Sequence, residues 1–104
     1  MIYVLATLVY SPGKLAEAQE IWIKEAMPLL RKVGLKVVGA WHGFTGNVNE
    51  SYSMFVYNDL AEMQKSREAQ RQNADWLRVT AKLNALRVSQ TTTMLEPAAW
   101  SPMK

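Results

Sequence analysis

The stretch IYVLATLVY, residues 2–10, decides the fold, because each position is apolar or favours β-structure and a Ser-Pro-Gly turn follows it. The pattern predicts a buried β-strand. Alternate side chains of a strand point to opposite faces of its sheet. One face here carries Ile2, Val4, Ala6 and Leu8, and the other carries Tyr3, Leu5 and Val9. Both faces are apolar, which indicates a strand in the middle of a sheet.

A helix is predicted over residues 14–33, where apolar residues recur at the three-and-four spacing of one helix face. Gly34 follows as a left-handed C-cap. Pro28 lacks a backbone N–H and pushes on the preceding turn, so the last part of this helix is expected to kink or to form a separate short turn.

Two further strands are predicted over residues 35–44 and 51–57, joined by a loop at residues 45–49. Gly39 and Gly43 within the first of them indicate a bulge or the close approach of another backbone. Strands two and three thus follow each other directly, without an intervening helix.

Two more helices are predicted from their capping residues. Asn58 or Asp59 caps a helix that runs to about residue 70, and Glu62 completes a capping box. Asn73 caps a shorter helix that runs to about residue 84.

A fourth strand is predicted over residues 86–95, before a tail in which two prolines forbid regular structure. One face of this strand carries Arg87, Ser89, Thr91 and Thr93, which an edge strand tolerates. The resulting order β-α-β-β-α-β predicts one α+β domain over residues 1–104, with a ferredoxin-like four-stranded antiparallel sheet. Strands one and three are expected in the middle, with strands two and four at the edges.

The two apolar faces of the central strands predict self-association, because the helices can cover only one face of the sheet. Burying a Leu, Val or Phe side chain contributes roughly 1.5–3 kcal/mol. If several such side chains stayed in water, the lost burial free energy would be comparable to the net stability of about 5–15 kcal/mol that is typical of a domain. A two-fold homodimer that packs sheet face on sheet face is the expected remedy.

Composition narrows the function classes. The net charge of +3 arises from scattered Lys and Arg, so a nucleic-acid partner is not expected. The chain has no cysteine, which excludes disulfides and thiolate ligands and fits a reducing cytoplasm. No apolar run approaches the roughly 20 residues of a membrane span, and the N-terminal run lacks the basic segment of a signal peptide.

Several segments together resemble the NIPSNAP-like family of the dimeric α/β-barrel superfamily. They are the opening strand with its Pro-Gly-Lys turn, the stretch GLKVVGAWHGFTGNVNE at residues 34–50, and the segments VYNDLAEM, ADWL and TTTMLEPAAWSP. The resemblance covers nearly the whole chain. It implies the ferredoxin-like fold and a dimer packed face to face, in agreement with the burial argument, and it implies no particular chemistry.

Four residues are candidates for the lining of a ligand pocket: Trp41, His42, Tyr57 and Trp76. His42 is the chain's single histidine and the first candidate for proton transfer, since its ordinary pKa lies near neutrality. Trp41 and His42 point to opposite faces of their strand, so at most one of them lines a given cavity. No metal site and no cofactor are predicted.

The leading interpretation is a homodimer that binds a small organic molecule in an apolar, aromatic cavity between helices and sheet. Two alternatives stay open. The protein is a cofactor-free monooxygenase or isomerase in which His42 moves a proton, or it is a non-catalytic interaction module with a filled core.

Overall fold

The computed structural model describes residues 1–46 and 48–103. The regular elements are β1 (Ile2–Tyr10), α1 (Leu15–Ile21), β2 (Val37–His42), β3 (Glu50–Tyr57), α2 (Leu60–Gln72), α3 (Ala74–Leu86) and β4 (Arg87–Leu95). The strands form one antiparallel sheet in the order β2-β3-β1-β4. The predicted α+β, ferredoxin-like arrangement is confirmed, with β1 and β3 in the middle. Of the predicted loop at residues 45–49, Asn47 lies outside the described residues.

The first helical segment is interrupted, as Pro28 predicts, but the interruption begins before the proline. A π-helical turn at Trp22–Ala26 and a 3₁₀ turn at Met27–Leu29 follow α1. Proline crowds the carbonyl group four residues earlier, and that group lies within the π turn. The segment ends at Gly34, whose φ of 70° gives the predicted left-handed cap.

Both predicted helix caps are present. The Asp59 side chain accepts a hydrogen bond from the Glu62 backbone N–H at 2.8 Å. The Glu62 carboxylate accepts one from the backbone N–H of Asn58, one residue before the cap. Asn73 accepts one from the Trp76 N–H at 2.9 Å, which fixes the start of α3 and the position of Trp76 in its first turn.

Strand β2 contains the bulge that Gly39 predicts, and a side chain also approaches this glycine closely. The register shifts between Val37 and Gly39, so Trp41 lies opposite Tyr52. A Cβ atom added at Gly39 would lie 2.4 Å from Cη2 of Trp41. The close approach at Gly39 is therefore made by an indole ring and not by another backbone.

A second bulge, at Val88 of β4 opposite Val9 and Tyr10 of β1, corrects the predicted face of Arg87. Val9 pairs with Ser89, but Tyr10 pairs with Arg87. Residues directly opposite each other in antiparallel strands share a face. Arg87 therefore lies on the face of Tyr10 and not, as predicted, on the face of Ser89.

The helices cover one face of the sheet, which we call the covered face. Its buried strand residues are Val4, Ala6, Leu8, Tyr10, Phe55 and Tyr57, and they form two clusters with residues of the helices. The other face, which we call the open face, carries the alternate residues of the same strands. Tyr3 and Val56 are buried there, whereas Leu5, Val9 and Met54 are half-buried.

Candidate functional site

A cavity of about 470 Å³ lies between the covered face and helices α2 and α3. Small-molecule sites commonly have volumes of roughly 300–1,000 Å³, so this space suits a small organic ligand. Its buried lining residues are Val4, Ala6, Leu8, Tyr10, Phe55, Tyr57, Trp76 and Leu83. The floor and back of the cavity are thus apolar and aromatic.

Two tryptophans from different helical segments form part of the wall. Trp22 and Trp76 both line the cavity, and their rings meet edge to face with centroids 6.3 Å apart. Trp76 is only 5% exposed. Aromatic pairs of this geometry add roughly 0.5–1.5 kcal/mol beyond their buried area, so the wall that they form is firmly placed.

The remaining lining residues are mostly exposed and polar, and they form a rim where the cavity meets solvent. The rim includes Arg67, Gln70, Arg71, Asn84, Arg87, Gln90 and Thr92. Three of these are arginines, and no aspartate or glutamate lines the cavity among the described residues. The cavity mouth is therefore positively charged.

The three rim arginines differ in their partners. Arg71 pairs with Glu68 at 2.5 Å, and this hydrogen bond lowers the pKa of Glu68. The Arg87 guanidinium donates to the side-chain oxygen of Gln90. Within the described part of the chain, Arg67 makes no side-chain hydrogen bond or ion pair. Arg67 and Arg87 thus lack an acidic partner.

Tyr10 brings an unusual polar group to the same wall. Its side chain is 2% exposed, and its hydroxyl finds no hydrogen-bond partner among residues 1–46 and 48–103. A buried polar group without a partner costs roughly 1–3 kcal/mol. Because the hydroxyl atom itself is inaccessible, this cost belongs to the packing around β1 and not to the surface of the cavity.

The structure brings together two of the four candidate pocket residues. Tyr57 and Trp76 line the cavity, whereas Trp41 and His42 do not. Trp41 lies on the open face and is 54% exposed. His42 is exposed at the end of β2, opposite Ser51, with Nδ1 3.3 Å from the Gly43 carbonyl oxygen. A role of His42 in proton transfer stays a prediction.

Within the described residues, no group of three or more His, Cys, Asp or Glu side chains is placed to hold a metal ion. None of the helices in that part of the chain is long and apolar enough to cross a membrane.

Sequence reasoning missed the arginine rim. Arg67 and Arg71 are four positions apart on α2, and residues at this spacing share one helix face, so this pair was visible in the sequence. The position of Arg87 was not visible, because the bulge in β4 that turns it toward the cavity has no clear sequence signal.

The strand order, the single helix-covered face and the cavity between the two layers define a ferredoxin-like α+β protein with an interlayer cleft. The NIPSNAP family model matches residues 3–102. The chain belongs to the NIPSNAP family.

Solved structures agree with this assignment. An uncharacterised NIPSNAP domain protein from Burkholderia xenovorans superposes with a TM-score of 0.90 at 22% identity, over 98% of this chain and 99% of its own. A NIPSNAP family protein from Agrobacterium tumefaciens superposes with a TM-score of 0.92 at 18% identity, over 99% of this chain and 98% of its own. A Nitrosomonas europaea protein proposed to be an antibiotic biosynthesis monooxygenase superposes with a TM-score of 0.71 at 9% identity, over 92% of this chain and 97% of its own. At these identities the likeness shows the fold alone. No curated protein matches the chain.

Proposed function

We propose that this NIPSNAP protein is a cytoplasmic homodimer that binds a small organic molecule in the cavity between the covered face and helices α2 and α3. The observation that carries the proposal is a space of about 470 Å³ with a buried, aromatic floor. The absence of cysteine supports a reducing compartment.

The open face supports the dimer. At its paired strand positions the single charged residue is Glu50, whose carboxylate accepts a hydrogen bond from the Tyr52 hydroxyl. Large apolar side chains remain accessible at its edges, with Trp41 54% exposed and Leu95 37% exposed. Interface cores are depleted of charge and rich in aromatic residues, so a second copy of this chain is the occupant that this face fits.

The binding proposal is tested by filling the cavity. Ala6 lies on its floor, and Ala6→Phe places a ring in the space that a ligand would take. Ala85→Phe, on an exposed position of α3 that does not line the cavity, is the matched control. A thermal-shift screen with a panel of small aromatic and aliphatic metabolites compares both variants with the unmodified protein.

The expected result is that at least one compound raises the melting temperature of the unmodified protein and of Ala85→Phe but not of Ala6→Phe. A ligand that binds only the folded state stabilises it by mass action. If no compound stabilises the unmodified protein, or if Ala6→Phe responds equally, binding in this cavity is wrong.

A further inference from the structure

We infer that the molecule bound in the cavity is an organic anion, with an apolar body on the aromatic floor and an anionic oxygen group at the arginine rim. This inference rests on the proposed binding function and names the chemical class of its ligand. It follows from the charges of the cavity lining.

Arg67 and Arg71 place two like charges on one face of α2. They lie four residues apart on α2 and both line the cavity. Like charges at this spacing repel each other on a helix surface. Glu68 offsets only Arg71, since Arg67 makes no ion pair within the described residues. A ligand that carries negative charge removes the repulsion, whereas a neutral one leaves it in place.

The third arginine comes from the opposite layer. Arg87 begins β4 on the covered face and is half-buried, with its guanidinium bonded to the uncharged Gln90. Guanidinium groups thus approach the cavity from both the helix layer and the sheet. The planar fork of arginine matches the oxygens of a carboxylate or a phosphate, which explains arginine rather than lysine at such sites.

Tyr10 also lines the cavity, but its hydroxyl is fully buried in the protein and is not offered to a ligand. Its hydroxyl lacks a partner in the described part of the chain, and it pairs across the sheet with Arg87. The anionic group of the ligand is therefore expected at the rim arginines of α2 and β4, while Phe55 and Trp76 provide apolar surface for its body.

The test compares ligands that differ in charge but not in apolar body. The probes are octanoate, octyl phosphate and octanamide, and binding is measured by isothermal titration calorimetry at low and at physiological salt. The test variant is the double substitution Arg67→Gln with Arg87→Gln. The control is Arg31→Gln with Arg78→Gln, two exposed arginines outside the cavity, so that both variants lose the same net charge.

We expect octanoate or octyl phosphate to bind the unmodified protein at least about tenfold more tightly than octanamide, because hydrogen bonds to charged groups are the strong ones. The cavity variant should lose this preference, and the control variant should keep it. Stronger binding of octanoate identifies a carboxylate ligand, and stronger binding of octyl phosphate identifies a phosphate.

Equal binding of octanoate, octyl phosphate and octanamide would overturn the inference that the ligand is an anion, but the cavity would remain a binding site. An equal loss of affinity in both double variants would also overturn it, because the effect would then come from net charge. If no probe binds, both the inference of an anionic ligand and the proposal that the cavity binds a small molecule are contradicted. Circular dichroism of each variant checks that the fold is retained.

Discussion

The covered face and the open face of the sheet are built from the same strands, yet they differ in where basic side chains lie. On the covered face, Arg87 of β4 and two arginines of α2 line the same aromatic cavity. On the open face, the paired strand positions carry no lysine or arginine. Basic groups are thus placed around an interior space and kept off an exposed surface.

This difference between the two faces is the basis of the two partners proposed above, a second copy of the chain and a small ligand. A surface that faced water would be expected to carry charge, since charged residues make up 20% of the chain. The open face instead has the composition of an interface between protein chains. The covered face has an apolar floor with a charged mouth, which suits a small ligand that is itself part apolar and part charged.

The largest expected effect is on the covered face, at Trp76. Trp76→Ala removes a buried ring that packs against Trp22, and we expect a loss of roughly 3–5 kcal/mol in the free energy of unfolding. Urea denaturation measures this loss. Trp100→Ala, at a side chain 86% exposed, is the control and should change stability by less than about 0.5 kcal/mol. A similar small change at Trp76 would contradict its place in the wall.

The next effect concerns the open face. Leu5 is half-buried on β1, and Leu5→Lys places a charge at the centre of the proposed interface. An unpaired buried charge costs several kcal/mol, so the variant should be monomeric at micromolar concentration. Ile23→Lys, at a position 67% exposed outside the sheet, should leave the assembly unchanged. Analytical ultracentrifugation distinguishes the two, and a dimeric Leu5→Lys protein would exclude this face as the interface.

The smallest effect is the titration of Tyr52 on the open face. The hydrogen bond to Glu50 raises the pKa of Tyr52, because it favours the neutral phenol. The stability that this bond contributes is present below the ordinary tyrosine pKa and is lost as pH rises through the raised value in the folded state. Glu50→Gln should move the pKa of Tyr52 back toward its ordinary value, as followed by NMR with Glu17→Gln as control. An unchanged titration would show that the bond is absent in solution.

The sequence was sufficient for the order of elements, because strand alternation, helix periodicity and the capping residues Asp59 and Asn73 are local signals. It was insufficient for the faces of side chains beyond a bulge. Simple alternation would put Trp41 on the face of Val37, whereas the bulge between Val37 and Gly39 moves Trp41 to the open face. The same effect at Val9 and Tyr10 places Arg87 on the covered face.

The candidate site was predictable only in part for a related reason. Tyr57 and Trp76 were predicted to line a cavity between helices and sheet, and both lie along the cavity found there, whereas Trp41 and His42 do not. The rim combines α2 with the edge strand β4, which are brought together only by the tertiary fold. The missing partner of the Tyr10 hydroxyl is likewise a property of packing and not of local sequence.

The measurement that tests the contrast between the two faces most directly is the mass of the unmodified protein in solution, from light scattering coupled to size-exclusion chromatography at micromolar concentration. The proposed pairing of open faces predicts the mass of two chains, constant over a tenfold dilution. A stable mass of one chain would show that the open face is satisfied without a second copy, and the assembly proposed here would be wrong.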